Sequence, residues 1–367
     1  MKLTINTKVF QDMIAKSIKG ASSNKMIPIT SLMGIELKDG KLILMTTDGS
    51  NHLRVSQNIE LDPVFGPTNE QKFYTIVNAE TLAKLVAKTT SENMTLSVTD
   101  NYLSVKGNGT YKLEIAMDED GNVIRFPNFN INATGKTIIS ISLLKNILNA
   151  TKVSIAKTME VPCLTGYYLS DKAISTDREM MCCVKESLLD NPILISSEMA
   201  ELLQLLEGET VVLGQEDNKL LFETDNIVIY GKQLEGLDIY PVQALDGLLN
   251  LTYDNIVKVN KQDLLNVLDR MNIFVSDYDK NGVYLSFTED GLQLTSQKSN
   301  ASEIIEMDRD ANKDFVPFSC LIDITMFQSQ VQINSSDIIE IHYGQEKSIK
   351  IVDGNTTMII CLLNKED

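Results

Sequence analysis

Six times along the chain, a short β-like run ends at an Asn or Ser and is followed by apolar residues at helical spacing. These residues are Asn6, Asn78, Ser140, Ser196, Asn260 and Ser319, at intervals of 72, 62, 56, 64 and 59 residues. Asn and Ser at such points cap helices, because a side-chain oxygen accepts from backbone N–H groups that have no partner in the first turn. The seventh residue past each cap is apolar: Met13, Leu85, Ile147, Leu203, Val267 and Met326. The eighth is apolar in five of the six, Gln204 being the exception. One face of each helix is therefore apolar. Runs such as KDGKLILMTTDG and NGVYLSFTEDGLQLTS follow the helices, alternating in polarity and punctuated by the D-G and N-G of hairpin turns. The chain reads as six copies of one β-α-β-β-β repeat of about 60 residues.

A sheet with one helix covers one face and leaves the other to solvent or a neighbour. The expected fold class is α+β, with three similar domains of two repeats each. The phrases RFPNFN (residues 125–130) and IYPVQAL (residues 239–245) mark where pairs end, so the expected domains are residues 1–126, 127–246 and 247–367. Repeats of one handedness curve into an arc or ring, with helices on one face and strands on the other.

The 367 residues are 43% apolar and 23% charged, the composition of a globular protein too long for one small domain. No apolar run reaches the roughly 20 residues that span a bilayer. The start MKLTINTKVF has no apolar core of a signal peptide, and the expected location is the cytoplasm. The five cysteines, Cys163, Cys182, Cys183, Cys320 and Cys361, include no C-x-x-C and are expected to be buried, reduced thiols.

The formal net charge is −17. Taken alone it argues against nucleic acid as a partner, but its distribution is uneven. Lys8, Lys16 and Lys19 lie on the first helical segment, Lys84 and Lys88 on the second, and Lys145, Lys152 and Lys157 on the third. Against Asp12 and Glu80, these leave a surplus of six positive charges. The fourth segment has three Glu and no base, and the sixth has only Asp323. A basic helical face inside an acidic shell suits sequence-independent, salt-sensitive contact with phosphates. The competing reading is a set of ordinary surface lysines.

At this level the chain resembles the bacterial-type sliding clamp, the beta subunit of DNA polymerase III. The likeness lies in MIPITSLMGIELKDGKLILMTTDG (residues 26–49), LTGYYLSDKAISTDREMMCCV (residues 164–184), NGVYLSFTEDGLQLTSQKSNASEIIEMD (residues 281–308) and the last expected strand, TTMIICLL (residues 356–363). The resemblance implies the DNA clamp fold: two chains joined head to tail in a closed ring, helices inside and sheets outside, encircling duplex DNA. It implies no cofactor and no catalysis, and as partners a DNA polymerase and a clamp loader, bound through a short peptide motif. It assigns Lys8, Lys16, Lys19, Lys25, Lys84, Lys88, Lys145, Lys152 and Lys157 to DNA. It assigns Leu164, Thr176, Met180, Met181, Pro241, Ile359, Leu362 and Leu363 to a partner-peptide pocket. The ring seam would set Tyr111 and Leu113 of one chain against Ile273 and Phe274 of the next. Two motifs depart from the family. Its T-D-G-[HR]-R turn is replaced by Thr176–Asp177 running into Arg178, Glu179 and Met180, and its M-P-M-R-L-like ending by CLLNK (residues 361–365). Such divergence suits a phage or mobile-element member.

Other chemistry is weaker. His52 and His342 are the only histidines and no nucleophile elbow accompanies them. Gly135, Lys136 and Thr137 lack the upstream Gly of a phosphate-binding loop, where Asn130 stands. The run DYDKNGVYLSFTE from Asp277 begins like a calcium loop, but its twelfth position is Thr288 and Glu289 falls one place late. An Asp- and Asn-rich turn explains it. Two alternatives to a clamp stand beside it: a ring-shaped interaction scaffold that does not thread DNA, and a metal-dependent hydrolase using the segment from Asp277 to Glu289.

Overall fold

The computed structural model describes residues 2–24, 26–59, 72–127, 135–310 and 314–364. All six β-α-β-β-β repeats are present. Their helices are α1 (Thr7–Ser17), α2 (Ala79–Ala87), α3 (Ile141–Thr151), α4 (Ser197–Leu203), α6 (Lys261–Met271) and α7 (Ile324–Ile333), with α5 (Val242–Leu249) outside the six-fold scheme. The Asn6 side chain accepts from Lys8 and Val9 N–H, Asn78 from Thr81 and Asn260 from Asp263. The Ser140 hydroxyl accepts from Leu143 N–H at 3.4 Å, and α4 begins directly after Ser196.

The sixth expected cap is corrected. Ser319 lies inside the strand Phe318–Asp323, and Asp323 caps α7 by accepting from Thr325 and Met326 N–H. The strand runs on because Cys320, Leu321 and Ile322 are buried while it pairs with Gly282–Thr288. A carboxylate that satisfies two N–H groups then ends it. α5 starts within the IYPVQAL phrase, behind Pro241, and carries buried Leu245 and Leu249.

The described chain forms two compact units, Met1–Leu143 with Glu198–Gln233 and Leu144–Ser197 with Leu234–Asp367. In both, the opening strand of a repeat leaves its own sheet and completes that of its neighbour. In the first unit, Lys2–Asn6 pairs with Asn93–Val98, Phe73–Asn78 with Leu32–Lys38, and Lys136–Ser140 with Thr210–Glu216. In the second, Ile193–Ser196 pairs with Gly166–Leu169, Asn255–Asn260 with Ile338–Tyr343, and Phe318–Asp323 with Gly282–Thr288. The first unit thus holds sheets of four and eight strands and the second sheets of nine and four. Within the larger sheets, Asn51–Asn58 joins Ile227–Lys232, and Met180–Val184 joins Thr356–Cys361. Each four-stranded sheet ends in an open edge, Thr110–Glu114 in the first unit and Ser302–Ile305 in the second.

Helices cover these sheets with the faces that the periodicity selects. α1 buries Phe10, Met13 and Ile14 and packs against α2, which buries Leu82 and Val86. In the second unit, α6 and α7 pack together over a cluster centred on Phe287 and Tyr343, whose rings stack at 3.8 Å. All five residues of Met180–Val184 are buried. Cys182 joins that cluster, and Cys183 joins another around Tyr168, Tyr240 and Leu245. Successive side chains alternate faces, so this strand is covered on both. Cys163, Cys182, Cys183 and Cys320 are buried as expected, but Cys361 is exposed, because it is the last residue of its strand. Among the described residues no helix is long and apolar enough to cross a membrane.

The corrected cap has a measurable consequence. Asp323→Ala should cost about 1 kcal/mol of stability in chemical denaturation, the usual loss for a cap, whereas Ser319→Ala, on the exposed side of its strand, should stay within about 0.5 kcal/mol of the parent.

Candidate functional site

The expected DNA-facing lysines differ in how available their charge is. Lys8 and Lys19 are exposed at opposite ends of α1, and Lys88 is exposed at the C-terminus of α2. Lys16 is only 18% exposed, with its ammonium 2.7 Å from Asp12 and 2.8 Å from Glu207. Burial disfavours its charge, but the hydrogen bonds to Asp12 and Glu207 outweigh burial and raise its pKa. Lys84 pairs with Glu80 one turn away on α2. Lys145 is half-buried on α3, and Lys152 and Lys157 are exposed beyond it. Lys25 lies outside the described residues.

Lys152 and Lys157 also border a groove of about 660 Å³ in the second compact unit. Its apolar lining comes from Val153, Ala156, Val161, Leu164, Met180 and Met326. Of the eight expected pocket residues, Leu164 and Met180 therefore reach it. Met181 and Ile359 lie behind, in the cluster that also holds Leu164 and Tyr240. Thr176 is buried, and Pro241 is half-buried at the start of α5. Leu362 packs on the other cluster of this unit, and Leu363 N–H donates to Leu321 O. Both leucines lie past the final strand, which ends at Cys361. Val153, Ala156, Val161 and Met326 are not among the expected residues. Met326 becomes legible only with α7 capped at Asp323, which puts it in the first turn.

One wall of α5 is fixed by two lysines. Lys172 reaches Asp246 at 2.5 Å. Lys350, 9% exposed, donates to Leu249 O at 3.2 Å and Leu251 O at 3.0 Å, and its ammonium stands 4.7 Å from the Tyr253 ring centre. Burial lowers its pKa, while the helix C-terminal carbonyls and the ring face favour the cation.

The turn at Thr176 to Met180, on the groove's rim, is built like the turn at Thr47 to Asn51 in the first repeat. In the latter, the Thr47 hydroxyl donates to Asn51 O, Gly49 N–H donates to Thr47 Oγ1, and Asp48 accepts from Ser50 and Asn51 N–H. In the former, the Thr176 hydroxyl donates to Met180 O, Arg178 N–H donates to Thr176 Oγ1, and Asp177 accepts from Glu179 and Met180 N–H. The central residue has φ 103° at Gly49 and φ 86° at Arg178. Glycine takes this conformation without a Cβ clash, and arginine does not. The Arg178 guanidinium lies 2.9 Å from Glu160, both side chains being largely exposed. Burial raises the pKa of Asp177, against the backbone N–H groups of Met180 and Glu179.

The expected seam residues lie at the open edges. Tyr111 is 43% exposed and Leu113 half-buried on the edge strand Thr110–Glu114. Ile273, 76% exposed, and Phe274, 43% exposed, form the turn after α6. Arg270 of α6 donates through Nε to Glu303 on the other edge strand at 2.8 Å.

The histidines sit on strands in different compact units. His342 lies 2.7 Å from Glu340, and burial lowers the pKa of His52 to about 4. The segment from Asp277 runs into the strand Gly282–Thr288, not a second helix. Among the described residues no group of three or more His, Cys, Asp or Glu is arranged to hold a metal ion.

With this geometry in hand, residues 1–124 match the DNA polymerase III beta subunit, N-terminal domain, family model. Over its first 124 residues, about a third of its length, the chain is thus similar to that family's N-terminal domain. It is 21% identical over 320 residues to the beta sliding clamp of Staphylococcus epidermidis, covering 83% of each chain. Against the beta sliding clamp of Staphylococcus aureus it is 20% identical over 326 residues, covering 85% of this chain and 84% of that protein. The fold matches the DNA polymerase sliding clamp of Bacillus subtilis with a TM-score of 0.85 at 18% identity, over 100% of both chains. The sliding clamp of Bartonella birtlesii, solved bound to griselimycin, matches with a TM-score of 0.86 at 19% identity, again over 100% of both. The described fold is the sliding-clamp fold.

Within that fold, the matched pair of turns makes a direct test. Arg178→Gly should raise stability by about 0.5–1 kcal/mol, strain relief exceeding the added chain entropy and the lost exposed ion pair. Gly49→Ala, forcing a Cβ into the same conformation, should lower it by about 1 kcal/mol. Chemical denaturation of the two variants beside the parent reads both signs.

Proposed function

We propose that the chain is a DNA sliding clamp, a non-enzymatic processivity factor that closes as a head-to-tail homodimeric ring around duplex DNA and tethers a polymerase. The observation that carries this reading is the six-repeat clamp fold, with Thr110–Glu114 and Ser302–Ile305 each at an edge of a four-stranded sheet. The exchange of opening strands joins repeats one with two, three with four and five with six, and supports domains at residues 1–126, 127–246 and 247–367. Edge Thr110–Glu114 of one chain adds to edge Ser302–Ile305 of the next, with Tyr111 and Leu113 meeting Ile273 and Phe274. Lys8, Lys19, Lys88, Lys145, Lys152 and Lys157 supply most of the mobile positive charge toward phosphates, with Lys25 in the same set. Lys16 and Lys84 contribute less, because carboxylates on this chain already hold them. The groove beside Leu164 and Met180 receives the peptide of a polymerase or clamp loader, and the work is done in the cytoplasm.

A scaffold that holds partners without threading DNA draws on those same two neutralised lysines and on the base-free helices α4 and α7. Topology separates the readings. After loading onto nicked circular DNA by a clamp loader, the ring should survive a high-salt wash, because linkage rather than grip retains it. A single cut should let it run off the ends. Equal loss from circular and linear DNA would overturn the clamp reading.

The seam is tested apart from DNA. Truncating a large buried residue costs about 2–5 kcal/mol, and two-fold symmetry applies each change twice. Ile273→Ala with Phe274→Ala should therefore sediment as a folded monomer, and an unchanged dimer would place the seam elsewhere.

A further inference from the structure

Arginine occupies a position in the Thr176 turn at which the same hydrogen-bonded turn in the first repeat has glycine. Gly49 and Arg178 share the left-handed conformation, at φ 103° and 86°. Four hydrogen bonds of the two turns correspond one to one, and only the Asn51 side-chain bond to Asp48 lacks a counterpart, because Met180 stands there. The fold alone therefore favours glycine at both positions, and a strained residue on a site's rim points to function.

What the arginine does follows from its surroundings. The groove has an apolar floor, including Leu164, Met180 and Met326, and Arg178 is on its rim. Ala156, Lys157 and Val161 also line the groove, and Glu160 belongs to that segment. The Arg178–Glu160 pair thus ties together two of the segments that line the groove. With side chains 61% and 70% exposed, it is solvated enough to exchange partners readily. The adjacent carboxylate of Asp177 is already engaged by two backbone N–H groups. Lys152 and Lys157 add positive charge along the same rim.

We propose that Arg178 is a specificity residue, exchanging Glu160 for a carboxylate of the bound segment, so that the groove selects short peptides with an acidic residue beside an apolar anchor. The proposal rests on the reading of the groove as a peptide site. It assigns to this one arginine the choice among peptides that share the same apolar anchor. A guanidinium fits a carboxylate with two parallel N–H donors, which makes the preference geometric as well as electrostatic.

The test uses the full chain and two fluorescein-labelled octapeptides. Both carry a central Leu-Leu pair, and they differ only in having Glu or Lys at the flanking positions. By fluorescence polarisation, the parent protein should bind the Glu peptide about five- to tenfold tighter, the factor expected of one partly exposed charge-assisted pair. Arg178→Glu should invert the preference. Arg178→Gly, which the turn accommodates without strain, should bind both peptides with the difference largely erased. Equal binding of the two peptides by the parent would overturn the role of Arg178 and leave the groove as a peptide site. Full discrimination surviving in Arg178→Gly would transfer the selection to Lys152 and Lys157 and also overturn it. Failure of the parent to bind either peptide would remove the groove reading and this proposal with it.

Discussion

The β-α-β-β-β repeat is incomplete by itself. After its helix turns back, three strands remain to form a sheet whose outer position is open, and the opening strand lies where it cannot fill its own vacancy. The opening strands of a pair therefore cross over, each closing the other's sheet. This makes the pair the smallest unit in which every opening strand is paired. The remaining architecture follows from it. Sheets extend by joining the last strand of one repeat to the last strand of a repeat in another pair, as Met180–Val184 joins Thr356–Cys361. Within each unit one pair of helices packs together over the sheets, α1 with α2 and α6 with α7.

The periodic part of this was legible in the sequence, because caps, helical spacing and hairpin turns act within a few residues. Five of six helix starts follow from Asn or Ser before an apolar face. The sixth was misplaced because Ser319 sits four residues before Asp323, and only the strand pairing of Phe318–Asp323 decides between them. Strand exchange was not legible, since it depends on partners well outside the local window, from Leu169 with Ile193 to Lys2 with Ser97. The same distinction holds at the groove. Leu164 and Met180 could be assigned by resemblance, whereas Met326 arrives through a helix distant in sequence.

Charge followed the same rule of range. The Glu80–Lys84 and Asp12–Lys16 pairs stand one helical turn apart and are visible in the sequence. Glu207, which takes the second share of Lys16, comes from 191 residues further along. A tally of lysines per helix thus overstates the charge presented by α1. Lys350 is the opposite case: it looks like any strand lysine, yet it is buried to hold the end of α5 through Leu249 and Leu251.

The edge strands Thr110–Glu114 and Ser302–Ile305 differ in sequence and flanking residues, so neither is its own complement. Chains joined edge to unlike edge form a directional series, and a directional series either returns on itself or grows without limit. Which happens depends on the rotation accumulated per chain rather than on the strength of the joint. A change of a few degrees at the strand pairing of Asn51–Asn58 with Ile227–Lys232, inside the first unit, would alter that rotation. The contacts that set assembly size are therefore internal ones, and an altered protein with two perfect edges can still polymerise into an open fibre.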